Sequence, residues 1–296
     1  MKITNKLKLP EGLVKAVSME RHNKKGCISA TTLIQGVKQT ILTERHWDEL
    51  EDDVSDRLWA IWGTAVHSLL EHEGETDFTE LDMCHIVGGI TITGRIDNYD
   101  MQKGIICDYK TASVYKVKFK DFSDWKKQGM IYAWLLSKNG FAVHKCRFIA
   151  LLKDHSKTDA MRDYQYPQNP VYVYEFPVSS MELLKIDVFI RQRVQECEDY
   201  SSMKDDEIPP CSSEERWEKQ PKYAVMKNGL KRAVRLFDEK EPAQLLASEK
   251  GEGHFVEFRQ GESIKCRSYC LCNRFCNFYQ ESLMGAEKEP AEEQAA

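Results

Sequence analysis

Apolar positions along the 296-residue chain follow two alternating periods, and their order predicts an α/β protein. Residues 28–43 carry apolar side chains at helical spacing behind Ser29, a residue type suited to capping, and predict one helix. A second helix follows Ser55, another candidate cap: Leu58, Ile61, Trp62, Ala65, Val66 and Leu69 recur every three or four residues. From Met83 to Lys110 the pattern changes. The runs CHIV, ITITGRIDNY and GIICDYK are short and β-branched, and Gly-Gly or a polar MQKG turn separates them, which predicts a three-stranded meander. Helical spacing resumes over residues 125–137, short strands are predicted at 146–152 and 171–176, and a long helix at 179–197. This order implies a mixed central sheet flanked by helices.

Beyond Ile208-Pro209-Pro210 the composition shifts toward charge, glycine and clustered cysteine. The expected organisation is a core over residues 1–207, a Cys-rich appendage over 208–280 and a solvated, disordered tail over 281–296 that ends in AEKEPAEEQAA. No internal repeat is present. With 42% hydrophobic and 30% charged residues the composition is that of a globular protein. No apolar run approaches the ~18 residues of a membrane span, and the opening MKITNKLKLPEG lacks a signal peptide's apolar stretch. A cytoplasmic setting without membrane contact is therefore expected. A net charge of -5 gives no whole-molecule attraction to a polyanion, so nucleic acid would need a local basic groove. Ten cysteines would suit a disulfide scaffold in a short secreted chain. Here Cys266, Cys270, Cys272 and Cys276 crowd one short segment of a long chain, which points to metal or cluster ligation.

Several polar residues stand where the pattern would accept an apolar one. Asp108 and Lys110 are two apart on a predicted strand and therefore project to the same side. Two charges at a core edge cost several kcal/mol unless they pair or meet a metal. Asp97 ends the preceding strand, so its carboxylate can approach that of Asp108. With His67 of the second helix, these groups form an oxygen-rich site suited to Mg²⁺ or Mn²⁺. Such an ion polarises a phosphoryl oxygen and lowers the pKa of a bound water, while Lys110 orients that water or stabilises developing negative charge.

The succession is His67 in GTAVHSLLE, Asp97 closing G-x-x-D, Asp108 and Lys110 in D-x-K, then Gln128 and Tyr132 in Q-x-x-x-Y. Over roughly residues 67–152 it resembles the RecB-like branch of the PD-(D/E)XK nuclease superfamily. Ile96 stands where the superfamily name has proline, as the G-x-x-D form allows. The resemblance implies a restriction-endonuclease-like core. It implies metal ligation by His67, Asp97, Asp108 and the backbone carbonyl of Tyr109, with Lys110 as the catalytic lysine. Gln128 and Tyr132 would position DNA and the active site. The implied activity is a divalent-metal-dependent DNA nuclease, an exonuclease acting on ends or single strands through a metal-activated water. Its setting would be recombination, replication or phage DNA processing, beside the proteins of those processes. The rival is a non-catalytic DNA-binding or scaffold protein that keeps the fold.

The segment SIKCRSYCLCNRFCNFY lacks the C-x2-C pairs common in structural zinc sites. It resembles the CRISPR-associated RecB-like nucleases and related phage exonucleases, in which three C-terminal cysteines and one distant cysteine hold a [4Fe-4S] cluster. That resemblance implies Cys266, Cys270 and Cys276 as ligands, with Cys211 as the fourth and Cys27 as its alternative. Zn²⁺ is the alternative cofactor, and Cys272 is a spare. Cys84, Cys107, Cys146 and Cys197 lie in apolar runs and read as buried small hydrophobes. Finally, YKVKFKDFSDWKK places Lys116, Lys118, Lys120, Lys126 and Lys127 among Tyr115, Phe119, Phe122 and Trp125. Lysines neutralise phosphates and aromatics stack on unpaired bases, so this stretch is a candidate DNA contact, with residues 222–235 as an opposite wall. No sequence-reading element accompanies either, and binding without sequence preference is expected.

Overall fold

The computed structural model describes residues 1–17, 26–71 and 78–288. The chain divides into two compact units, Met1–Met203 and Lys204–Ala296. In chain order the first comprises β1 (Lys2–Thr4), α1 (Glu11–Val17), β2 (Cys27–Ser29), α2 (Ala30–Leu33), α3 (Val37–Arg45), β3 (Glu51–Asp53), α4 (Val54–Glu71), β4 (Phe78–Val87), β5 (Ile90–Asp100), β6 (Ile105–Ala112), α5 (Val114–Lys118), α6 (Ser123–Lys138), β7 (Lys145–Leu152), α7 (Lys157–Arg162), β8 (Val171–Pro177) and α8 (Ser180–Ser201). A six-stranded mixed sheet runs β2-β5-β6-β7-β8, and β4 pairs with the other edge of β5. Helices flank this sheet in a restriction-endonuclease-like α/β core.

Two local expectations need correction. The helix predicted over residues 28–43 is three elements, because residues 27–29 pair in parallel with residues 91–93 as β2. Ser29 caps only the short α2, accepting from Thr32 N at 3.1 Å, and Gly36 interrupts the helical run before α3. Asp53 rather than Ser55 caps α4. Its Oδ1 accepts from Ser55 N at 3.1 Å and from Ser55 Oγ at 2.7 Å, while its Oδ2 accepts from Thr4 Oγ1 and Lys6 N. Helix α4 is therefore anchored to the chain's first residues.

The meander is as the periodicity predicts. Gly88 and Gly89 have φ of +56° and +84°, the left-handed pair that a tight two-residue hairpin turn needs, and Val87 faces Ile90 across it. Strands β5 and β6 then pair at only three positions, the last being Asn98 with Cys107. Beyond that rung the strands separate, and β6 continues in parallel with β7 over its full length. A fork with backbone on two sides results, and the next residue on each arm is an aspartate.

Helix α6 fills the core: Trp125, Met130, Ile131, Tyr132, Ala133, Trp134, Leu135 and Leu136 are all buried. Ile186, Ile190 and Val194, one turn apart on α8, pack into the same core, and Trp134 Nε1 donates to Asp187 Oδ1 at 2.7 Å to lock the two helices together. Gly94 lets α6 approach β5, because a Cβ there would stand 2.7 Å from Leu135 Cδ1 and 3.0 Å from Tyr132.

The second unit comprises β9 (Glu218–Lys219), β10 (Lys222–Lys227), β11 (Arg235–Phe237), α9 (Lys240–Lys250), β12 (His254–Arg259), β13 (Glu262–Ser263), α10 (Ile264–Ser268) and α11 (Asn277–Lys288). Strand β10 lies between β11 and β12 in an antiparallel sheet, and α9 packs Ala243 and Ala247 against Val225. Helix α11 extends to Lys288, so the first part of the expected tail is helical; the remainder, 289–296, lies outside the described residues. Among the described residues no helix is long and apolar enough to cross a membrane. Of the four cysteines expected to be buried, Cys146 is buried, Cys107 and Cys197 are half-buried, and Cys84 is exposed.

Candidate active centre

Strand geometry brings the predicted polar residues to the fork. Asp97 is the first residue of β5 past its last rung with β6, and Asp108 is its counterpart on β6. The Asp97 Oδ2 accepts from Tyr109 N at 2.7 Å, so a carboxylate bridges the arms where the backbone ladder has stopped. Its Oδ1 lies 3.3 Å from His67 Nδ1 on α4. On β6, Lys110 Nζ lies 2.6 Å from Asp108 Oδ2 and 5.7 Å above the Phe148 ring. Asp108, on a side chain only 1% exposed, thus has the Lys110 ammonium as its counter-ion.

Burial and neighbouring charge perturb the titrating groups. Burial holds Asp108 above the ordinary carboxylate range, Lys110 opposes this, and Asp97 reinforces it. Hydrogen bonding to Asp97 raises His67 against the effect of burial, and the charges of Asp97 and Asp108 add to the rise. A carboxyl whose folded pKa is raised stabilises the fold below its unfolded value of 3.8, and that contribution is lost as pH rises through the raised value. The metal-free protein thus bears an ionised, buried Asp108 at neutral pH. Metal-free Asp108→Asn should accordingly melt roughly 2–6 °C above the parent at pH 7.5. Differential scanning fluorimetry should find the two converging near pH 4; a variant less stable than the parent at both pH values would refute the burial argument.

Gln128 and Tyr132 do not reach the surface. Gln128 Nε2 donates to Tyr132 OH at 2.7 Å, both side chains are buried, and burial, then the charge of Asp108, raises the tyrosine. Tyr132 is an electrostatic neighbour of Asp108 behind the fork. Trp125 needs correction as a base-stacking residue: it is 5% exposed and packs between Phe122 and Phe148. The exposed rings are Tyr115 and Phe119, 63% and 73% accessible and stacked on each other at 6.1 Å. Lys116, Lys118 and Lys126 pair with Asp124, Asp163 and Glu182 at 2.8, 3.0 and 2.9 Å, so part of the basic stretch is neutralised by the protein itself. Lys127 Nζ lies over Phe189, and Lys120 adopts a left-handed φ of +53° at the end of α5.

One acidic residue was not singled out by sequence. Glu80 of β4 joins His67 and Asp97 in a set whose ligand atoms all lie within 4.8 Å of one another. The signal was present in the hairpin register: eight residues from the Gly88-Gly89 turn on either strand stand Glu80 and Asp97. Oxygen donors with one imidazole fit a hard divalent cation.

In the second unit, Cys266 has Cys270, Cys211 and Cys276 as electrostatic neighbours; burial first, then these thiols, push it up to about 11. Cys270 and Cys272 place their sulfurs 3.5 Å apart, and Cys272 is buried. Cys27, the alternative fourth ligand, belongs to β2 of the first unit.

Comparison with known proteins shows the family of the chain. The family model of the PD-(D/E)XK nuclease superfamily matches residues 18–277. No curated protein matches the chain significantly. Solved structures similar to it include SSO0001, at 20% identity and TM-score 0.44 over 64% of this chain and 83% of that one. The LHK-Exo alkaline exonuclease of Laribacter hongkongensis, solved with dAMP, matches at 10% identity and TM-score 0.39 over 60% and 90%. A phage-related exonuclease of Haemophilus somnus 129PT matches at 14% identity and TM-score 0.30 over 57% and 72%.

Proposed function

Because this chain belongs to the PD-(D/E)XK nuclease superfamily, we propose that it is a divalent-metal-dependent DNA exonuclease that acts on ends or single strands without sequence preference. What supports this reading is the fork between β5 and β6, where Asp97 lies against His67, Asp108 against Lys110, and Asp108 has Asp97 and His67 as electrostatic neighbours. His67, Asp97, Asp108 and the carbonyl of Tyr109 would hold Mg²⁺ or Mn²⁺. A cation held there supplies Lewis-acid charge to a phosphoryl oxygen and lowers the pKa of a nucleophilic water. The Tyr109 amide fixes the orientation of Asp97, so that the carboxylate is set before substrate arrives. Lys110 presents its ammonium beside the buried Asp108 and offsets the negative charge that develops on the attacked phosphate. The stacked Tyr115 and Phe119, with Lys116, Lys118, Lys120, Lys126 and Lys127 nearby in sequence, suit an unpaired strand better than a rigid duplex.

We further infer that Cys211, Cys266, Cys270 and Cys276 hold a [4Fe-4S] cluster that stabilises the second unit through folding linkage. What supports this is that Cys211, Cys270 and Cys276 are all electrostatic neighbours of Cys266. Iron content and a broad visible absorption after anaerobic purification test this point; a colourless, zinc-loaded protein would reject it.

The nuclease reading is tested with end-labelled single- and double-stranded DNA of one sequence, with Mn²⁺, with Mg²⁺ and with chelator. Metal-dependent release of mononucleotides from ends, faster on single strands, is the expected result. Intact substrate under every condition would favour a scaffold that keeps only the fold.

A further inference from the structure

Helix α4 presents large apolar side chains to solvent. A helix on a globular core ordinarily buries its apolar stripe, yet Trp59, Trp62 and Leu69 of α4 are 59%, 59% and 72% exposed. The helix meets the sheet by another side. A Cβ at Gly63 would stand 3.7 Å from Thr111 Oγ1, one residue beyond Lys110, and His67 Nδ1 lies 3.3 Å from Asp97 Oδ1. Three residues apart, the two indoles are neighbours on the helix surface. Trp62 stands about 7.5 Å along the axis from His67, and Trp59 lies about 80° round the helix from it.

A cation accompanies the rings. Lys153 Nζ sits 4.2 Å from the Trp59 centroid and covers one face of the indole. The adjacent Asp154 is spent elsewhere, accepting from Ser113 Oγ at 2.6 Å and from Val114 N at 2.7 Å. Among the described residues Lys153 makes no ion pair, unlike Lys116, Lys118 and Lys126. Its backbone N donates to Ala112 O at 3.0 Å, at the end of β6 and directly before the Ser113 cap of α5. One ammonium thus links two pairs of exposed rings: it lies on Trp59, and its backbone is tied to the strand end that leads into Tyr115 and Phe119. Rings beside an uncompensated cation match an unpaired nucleic-acid strand, whose bases stack and whose phosphates need counter-charge. An apolar protein surface has no use for the ammonium, and a duplex keeps its bases stacked on each other.

We propose that Trp59 and Trp62, with Lys153, form a stacking platform that guides an unpaired strand along α4 toward His67. The inference rests on the nuclease reading above and names residues that select single strands over duplex.

Fluorescence anisotropy of a labelled oligothymidylate, set beside a blunt duplex, tests this with the full chain in chelator, where nothing turns over. Trp59→Ala and Trp62→Ala should each weaken single-strand binding roughly tenfold and duplex binding by less than about twofold. Both indoles are exposed, so these variants should melt with the parent. Trp59→Phe should keep most of the affinity, because a ring remains to stack. Lys153→Gln should make the slope of log affinity against log salt shallower by about 0.7. Parental affinity in both alanine variants, or equal losses on single strand and duplex, overturns the platform; cleavage of end-labelled DNA by the parent then leaves the nuclease reading intact. A parent that is dimeric in size-exclusion chromatography, with a monomeric Trp59→Ala/Trp62→Ala variant, assigns the face to a second copy of the chain and also overturns the platform. A parent that neither binds nor cleaves DNA overturns both readings.

Discussion

Asp97→Asn should abolish Mn²⁺ binding and slow single-turnover hydrolysis of end-labelled DNA by roughly 10³-fold or more, about 4 kcal/mol of barrier. No other residue at the fork touches so many parts. Its Oδ1 faces His67, its Oδ2 accepts the Tyr109 amide, and Glu80 stands opposite on β4. Asparagine preserves the volume but presents one oxygen where two are used. If the remaining oxygen keeps the Tyr109 hydrogen bond, an amide nitrogen faces His67. If it faces His67 instead, a donor meets the Tyr109 donor and the fork loses its bridge. Either arrangement removes negative charge from the centre. A variant retaining more than a tenth of the parental rate would show that Asp97 does not organise the chemistry.

The sequence exposed the parts of this centre that depend on local order and hid those that depend on register. Strands β5 and β6 were legible because β-branched runs and a Gly-Gly turn have no other economical fold, and with them came Asp97, Asp108 and Lys110. His67 emerged from the helical spacing around it and from its place before G-x-x-D. Glu80 did not, because FTELDM has no marked alternation and its importance follows only from counting across the hairpin to Asp97. The misread helix over residues 28–43 has a similar cause. A three-residue strand is too short to show a period, and its role is set by a partner more than sixty residues away in β5. Trp125 was misplaced because a tryptophan beside lysines looks alike whether it faces solvent or Phe148. In the second unit, KYAVMK is a paired strand, although the charges around it made residues 222–235 read as a basic surface.

Lys110→Met should lower the hydrolysis rate by about 10²–10³-fold while Mn²⁺ binds at least as tightly as in the parent. These opposite signs follow from one contact. Lys110 Nζ sits 2.6 Å from Asp108 Oδ2, the same oxygen that a cation would engage. In the metal-free protein the ammonium acts as an internal counter-ion for a carboxylate otherwise isolated in the core, and methionine removes that charge while keeping the packing above Phe148. The metal-free variant should therefore melt below the parent, because a buried charge is left uncompensated. Saturating Mn²⁺ should close that gap, since a ligand that binds only the folded state stabilises it in proportion to its affinity. Catalysis has no such rescue, because the ammonium's charge at the attacked phosphate is gone. Paired melting curves with and without Mn²⁺, set beside the single-turnover rate, separate the two roles. A variant that loses metal affinity together with activity would mean that Lys110 props the site open and takes no part in the reaction.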